Sequence, residues 1–138
     1  MGAFLLVLFL GSGCGDLCRN EAVAHYAWLF ADAGYGHLPR ERAGFLIREK
    51  DGTLTFAPWD VSDFAAARYR GGVPPNTIAL VHTHPDFASP WPSARDASVA
   101  RRLALSVIVV SKDAVTVAMS DGTRRELFGR GWIRAQQH

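Results

Sequence analysis

Apolar positions along this chain follow two different spacings, one typical of helices and one typical of strands. Val23, Tyr26, Ala27 and Phe30 lie three or four residues apart, which predicts the buried face of a helix. Short apolar runs bounded by charged residues, glycine or proline predict strands. The pattern predicts helices over 20–33 and 93–103 and strands over 41–48, 53–56, 77–81, 105–110, 114–120 and 123–128.

The connections between these elements predict the topology. Asp51-Gly52 and Asp121-Gly122 each join two strands and are strong signals for a two-residue hairpin, so antiparallel pairs are expected at the edges. A strand, the helix over 93–103 and another strand follow one another in the middle, and that order implies a parallel crossover. We therefore expect an α/β fold with a single mixed β-sheet flanked by helices.

The composition agrees with one folded domain and excludes two classes of protein. The 138 residues are enough for a single core, and 49% hydrophobic with 20% charged residues are ordinary globular values. The formal net charge is only +2 and the basic residues are scattered, so no nucleic-acid-binding stripe is expected. No apolar run approaches the roughly 20 residues that a membrane-spanning helix needs.

The N-terminal segment differs from the rest of the chain. Residues 3–10 are all apolar, and small residues then lead to Cys14, a pattern that resembles a bacterial lipoprotein signal. The first two residues carry no positive charge, and Leu10 stands one position earlier than the lipobox leucine. The prediction is export or membrane anchoring through a lipidated Cys14, and the alternative is a buried N-terminal segment in a cytoplasmic protein. The expected divisions are a signal or lipoprotein peptide over 1–14, the folded domain over 20–128 and a C-terminal tail over 129–138.

The two cysteines, Cys14 and Cys18, allow two states. If Cys14 is lipidated, then Cys18 is a lone thiol. Otherwise the pair could form a local disulfide, and the sequence leaves both alternatives open.

The richest chemistry lies where the strand over 77–81 ends. His82 and His84 are two positions apart, so an extended backbone aims both imidazoles at the same side. Asp96, in the first turn of the following helix, can add a carboxylate if that helix turns back towards the strand end. Two imidazoles and a carboxylate with one open position form a ligand set of catalytic zinc. Ser93 and Asp96 also fit a helix capping box, so the alternative to a metal site is a purely structural role for these two residues.

These motifs together resemble the JAMM/MPN+ family of zinc metalloproteases, of the prokaryotic type. The resemblance rests on His82-Thr83-His84-Pro85, followed by a loop that ends in Pro92-Ser93 with Asp96 three residues later. The family also has a glutamate shortly before a strand with glycine and aliphatic residues. Glu41 matches that position, and Glu49 at the far end of the same strand fits it less well. The loop between the second histidine and the serine holds eight residues here, where the family usually has seven.

The resemblance implies both a fold and a reaction. The fold would be the JAMM/MPN arrangement, three layers similar to those of cytidine deaminases. One zinc ion per chain would be held by His82, His84 and Asp96, with Glu41 as general base and Ser93 as the donor that stabilises the oxyanion. The reaction would be hydrolysis of a peptide or isopeptide bond in a peptide or protein substrate, including a ubiquitin-like conjugate.

Other interpretations stay beside this one. The chain could be a non-catalytic MPN-like module that binds a protein partner, although all five motif positions are retained. It could also be an amide hydrolase that acts on a cell-wall peptide or a small conjugate. Phe87 and Trp91, in the loop after the histidines, either line a substrate groove or cover the core of their own loop. His25, within the first helix, is expected to be structural.

Overall fold

The apolar runs form the strands of one sheet, and the two periodic segments form its main helices. The computed structural model describes residues 14–59 and 72–135, so the apolar segment over 3–10 lies outside the described residues. The helices are α1 (Asn20–Asp32), α2 (Ala94–Leu103) and the short α3 (Trp132–Ala135), preceded by a 3-10 helix (Gly15–Cys18). The strands are β1 (Ala43–Arg48), β2 (Leu54–Pro58), β3 (Thr77–Thr83), β4 (Ser106–Val110), β5 (Val115–Ala118) and β6 (Arg124–Phe128).

The six strands form a single mixed sheet in the order β2-β1-β3-β4-β5-β6. Only β3 and β4 run parallel, and α2 makes the connection between them. All other neighbours are antiparallel, and each of the two Asp-Gly hairpins forms one edge of the sheet. The predicted α/β class, the single mixed sheet and the central crossover are therefore confirmed.

The two main helices cover opposite faces of the sheet. Tyr26 and Phe30 of α1 pack in one cluster with Val81 of β3. Ala100 of α2 packs in a second cluster with Leu80, the neighbour of Val81 along the same strand. Because side chains alternate across a strand, these two clusters lie on the two sides of the sheet. His82 and His84 follow Leu80 at two-residue steps, so they belong to the face that α2 covers.

Helix α2 is capped at both ends, and its N-terminal cap fixes the position of the candidate site residue Asp96. Ser93 is the N-cap in an extended conformation, and its hydroxyl oxygen accepts a hydrogen bond from the Asp96 N–H at 3.1 Å. The Asp96 carboxylate accepts one from the Ser93 N–H at 2.8 Å, which completes a capping box. At the other end, Ala104 adopts the left-handed conformation that commonly stops a helix. In α1, by contrast, Asn20 is the first helical residue, and Arg19 precedes it as the N-cap without a side-chain capping bond.

Both ends of the described chain are tied to the domain. Cys14 and Cys18 form a disulfide across the 3-10 helix, and Tyr26 of α1 donates its hydroxyl to the Leu17 carbonyl at 2.8 Å. Near the C-terminus, Trp132 is buried and donates its indole N–H to the Ser111 carbonyl at 2.8 Å. The segment after β6 thus returns to the core through Trp132. Within the described residues, every helix is too short or too polar to cross a membrane.

Candidate metal centre

The histidine pair lies at the point where β3 runs beside the start of β1. Ala43 is the register partner of His82, and the two strands continue one residue further. There the Thr83 N–H donates to the Arg42 carbonyl at 2.9 Å, and the Arg42 N–H donates to the Thr83 hydroxyl oxygen at 3.0 Å. This pair of hydrogen bonds between Arg42 and Thr83 holds Glu41, the residue before Arg42, beside the histidines.

His84 is held in one orientation by main-chain groups. Its N–H donates to the Val110 carbonyl at 2.9 Å, which extends the parallel pairing of β3 with β4. Its ring Nδ1 lies 2.6 Å from the Ser89 carbonyl oxygen. A carbonyl only accepts, so this contact places the ring proton on Nδ1 and leaves the lone pair on Nε2. A second-sphere bond of this kind is what a metal-binding histidine normally has.

Asp96 faces both imidazoles from the helix on the same side of the sheet. Its Oδ1 lies 3.2 Å from His82 Nε2, and its Oδ2 lies 3.9 Å from His84 Nε2. The same Oδ2 is the acceptor for the Ser93 N–H in the capping box. Asp96 is therefore both a helix-capping residue and a carboxylate directed at the Nε2 atoms of the pair.

Glu41 completes the group from the β1 side. Its Oε1 lies 3.8 Å from His82 Nδ1, a distance for electrostatic attraction rather than a hydrogen bond. One carboxylate oxygen of Glu41 and one nitrogen from each histidine lie within 4.8 Å of one another, and this group could hold a metal ion. The Glu41 side chain is only 15% exposed, so it is held within the site rather than in bulk water.

The electrostatic state of His82 suits a metal ligand. Burial lowers its pKa to about 4, against a smaller opposing effect of the Asp96 carboxylate and a small further lowering by His84. The imidazole is therefore neutral near pH 7 and keeps a lone pair. Its Nε2 is buried and makes no hydrogen bond within the described residues. The Asp96 Oδ1 atom lies 3.2 Å from this nitrogen, which is within hydrogen-bond distance, but the angle is not that of a hydrogen bond. We therefore interpret the contact as a close approach of two atoms that each carry a lone pair.

The two histidines and the two carboxylates beside them are therefore chemically suited to bind a metal cation. A buried nitrogen without a hydrogen bond is costly in a protein interior, and a metal ion satisfies it. Imidazole nitrogens with carboxylate oxygens are a common ligand set of zinc, and two carboxylates are available here. The two acidic residues approach His82 from different sides, Asp96 at Nε2 and Glu41 at Nδ1. His84 also directs Nε2 at Asp96, so this aspartate lies beside the group that Glu41 forms with the two histidines.

Three further contacts, all made by Asp86, hold the loop over 85–92 around the site. The Asp86 N–H donates to the Gly36 carbonyl at 2.9 Å, and the Asp86 carboxylate lies 3.3 Å from His37 Nδ1 and 3.8 Å from Lys112 Nζ. Asp86 therefore fastens the residues after His84 to the segment that leads to Glu41. Phe87, the next residue, is 71% exposed and so does not cover a core of its own loop.

All five predicted site residues are thus brought together at one end of the sheet. Glu41, His82 and His84 form one group, Asp96 approaches the histidines, and Ser93 caps the helix that carries Asp96.

His25 has the structural contacts expected for it, because its ring stacks on Phe56 and its Nε2 lies 3.1 Å from the Leu54 carbonyl oxygen. The sequence did not indicate the Ser89 carbonyl, since main-chain groups carry no residue-type signal. Thr83, between the two histidines, could have been found from strand alternation.

Comparisons with protein-family models, with curated proteins and with solved structures find no match to this chain.

Proposed function

We propose that this chain is a zinc-dependent peptidase of the JAMM/MPN+ type that hydrolyses a peptide or isopeptide bond. The observation that carries the proposal is the convergence of two Nε2 atoms on the Asp96 carboxylate, with the Glu41 carboxylate 3.8 Å from the other ring nitrogen of His82, Nδ1. Three ligands with a nearby acidic residue are what a hydrolytic zinc site needs, because the fourth position stays open and a base stands close. The proposal includes the three-layer JAMM arrangement, with which a mixed sheet between α1 and α2 agrees.

His82, His84 and Asp96 would hold the zinc ion in this proposal. Zinc bound there supplies Lewis-acid chemistry, making water acidic enough to lose a proton near neutral pH and polarising the substrate carbonyl. The low pKa of His82 keeps that ring available as a ligand. The Ser89 carbonyl, through His84 Nδ1, keeps the second ring directed at the same point.

Glu41 acts as the general base. Its carboxylate accepts a proton from the attacking water and passes it to the leaving amine, which departs neutral. The double hydrogen bond between Arg42 and Thr83 holds the Glu41 backbone in place for both transfers. Arg42 is also tied to α1, because its Nη2 lies 3.0 Å from the Asp32 carboxylate.

Ser93 acts as the oxyanion donor while it caps α2. Its oxygen accepts the Asp96 N–H through a lone pair, which leaves its own O–H proton available. The residue is exposed, so a substrate carbonyl can reach that proton. The loop with eight residues therefore still delivers the serine to the end of the helix that carries Asp96.

We also propose that the protein is exported. The apolar segment over 3–10 carries this expectation, and the Cys14–Cys18 disulfide agrees with it because disulfides persist in oxidising compartments. The disulfide engages the Cys14 sulfur that a lipid would need, so the proposal is export without a lipid on Cys14.

The test of the activity compares the wild type with Glu41→Gln and with Glu49→Gln as a matched control. Glu49 lies just beyond the far end of β1, and its carboxylate accepts a hydrogen bond from the Thr55 hydroxyl. Hydrolysis would be measured with fluorescence-quenched peptides and lysine-linked isopeptides, and bound zinc with elemental analysis. We expect Glu41→Gln to lose hydrolysis but keep zinc, and Glu49→Gln to behave as wild type. Full activity in Glu41→Gln would reject the base, and no hydrolysis by the zinc-loaded wild type would reject the peptidase.

A further inference from the structure

We infer that a cavity lined by Trp91 and Arg124 binds a carboxylate group of the substrate, which would make an acidic peptide the preferred substrate class. The inference rests on the proposed peptidase function and deepens it. The cavity has a volume of about 420 Å³, which is in the range of sites for small ligands. A single amino-acid residue of a peptide fits a space of that size.

Trp91 lines this cavity with 42% of its surface exposed, and hydrogen bonds hold the main chain around it. The carbonyl before it, on Pro90, accepts the Thr116 hydroxyl at 2.7 Å, and the carbonyl after it, on Pro92, accepts Arg124 Nη1 at 3.1 Å. Its own N–H donates to the Ser89 hydroxyl at 3.1 Å. Because these bonds hold the main chain on both sides of the exposed indole, a ligand that contacts the ring does not have to order the backbone that carries it.

Arg124 supplies the charge that the ligand would neutralise. Its bond to the Pro92 carbonyl uses one of the five N–H donors of the guanidinium. Among the described residues, no carboxylate lies within ion-pair distance of it. A guanidinium fixed by a neutral carbonyl and lining a cavity is complementary to a carboxylate, with which it forms charge-assisted hydrogen bonds.

The cavity lies on the same face of the sheet as the metal centre. Arg124 is the register partner of Ala118, which packs in the cluster of α2. Pro92, which Arg124 holds, immediately precedes Ser93, and Asp96 follows in the first turn of α2. A peptide that places its scissile bond at the metal centre can therefore place a neighbouring carboxylate over Trp91.

The experiment measures binding and needs no hydrolysis, so it can fail independently of the proposed function. Four small probes would be titrated into the Glu41→Gln chain: N-acetyl-glutamate amide, N-acetyl-glutamine amide, N-acetyl-glycylglycine and its C-terminal amide. The first pair tests a side-chain carboxylate, and the second pair tests a C-terminal carboxylate. Binding would be followed by the NMR signal of the Trp91 indole N–H, assigned with Trp91→Phe.

Arg124→Gln is the test variant, because glutamine can still donate to the Pro92 carbonyl while the charge is lost. Arg125→Gln is the matched control, since Arg125 pairs with Val117 and so points to the opposite face. We expect at least one acidic probe to bind about tenfold more tightly than its neutral partner, as a charge-assisted bond predicts. Arg124→Gln should remove this preference, and Arg125→Gln should keep it.

Three results would overturn the inference of a carboxylate site. They are equal binding of acidic and neutral probes, no shift of the Trp91 signal with any probe, and the same preference in Arg124→Gln as in Arg125→Gln. If Arg124→Gln does not fold, the salt dependence of the unsubstituted cavity replaces it. Raising the ionic strength should then weaken the acidic probes and leave the neutral ones unchanged, and equal salt effects on both would overturn the inference.

Discussion

Asp96 contacts two different parts of the molecule, and a pair of substitutions can separate the two contacts. Its Oδ2 accepts the Ser93 N–H in the capping box of α2, and its Oδ1 faces His82 Nε2. Asp96→Asn keeps an oxygen that can accept the Ser93 N–H but removes the negative charge that the metal needs. Ser93→Ala does the reverse, because it breaks the cap and leaves the carboxylate in place.

The two effects differ in size and in their dependence on zinc. Loss of the Ser93 cap should lower the free energy of unfolding by about 1 kcal/mol, with or without zinc. For a domain of this length that corresponds to a fall of about 4 °C in melting temperature. Loss of one of three ligands should weaken zinc binding by at least about 100-fold, because even second-sphere changes reach that size. With zinc in excess, that removes about 2.7 kcal/mol of the stabilisation that zinc provides.

The assay is thermal unfolding of each variant in a chelator and in excess zinc, followed by circular dichroism. Asp96→Asn should melt within about 2 °C of the wild type in the chelator but should gain much less from zinc. Ser93→Ala should melt lower in both conditions and keep the full zinc increment. An unchanged zinc increment in Asp96→Asn would refute Asp96 as a ligand and leave it with the capping role alone.

Two further substitutions test the frame around the site. Gly44→Ala in β1 should lower the free energy of unfolding by about 2 kcal/mol, because a Cβ there would overlap the Phe56 ring and come 2.8 Å from the Ala57 carbonyl oxygen. Urea denaturation would measure this loss. Gly72→Ala is the control, because the new methyl group there meets open space. Equal stability of these two variants would contradict the close packing of β1 on β2. Thr83→Val should cost about 1–3 kcal/mol, because the Arg42 N–H loses its acceptor at a buried position, and it should speed hydrogen exchange of that amide. The exposed Thr55→Val should have little effect, and slow exchange of the Arg42 amide in Thr83→Val would contradict the assigned bond.

Most of the sheet could be predicted from the sequence because its signals are local. The Asp-Gly pairs fixed both edge hairpins, and the apolar runs on either side of α2 could pair only through a parallel crossover. Strand ends were less accurate. The strand predicted over 77–81 continues to Thr83, since the β1 and β4 neighbours keep bonding to its backbone after the apolar run stops. A hydrophobic pattern cannot show where pairing continues through polar side chains.

The sequence alone could predict those parts of the candidate site whose geometry follows from the spacing of residues along one strand or helix. Two-residue spacing placed His82 and His84 on one side of β3, and the first turn of α2 placed Asp96. The approach of Glu41 depends on β1 pairing beside β3, a long-range contact that only the resemblance suggested. The bonds that orient the loop, from Thr116 to Pro90 and from Arg124 to Pro92, join residues 26 and 32 positions apart and have no local signal.

In the proposed site, His82, His84 and Asp96 hold one zinc ion. The most direct measurement is the zinc content of the purified chain, compared with a His82→Ala, His84→Ala double variant whose fold is checked by circular dichroism. We expect about one zinc per chain in the wild type and almost none in the double variant. Equal zinc in the two proteins would contradict it.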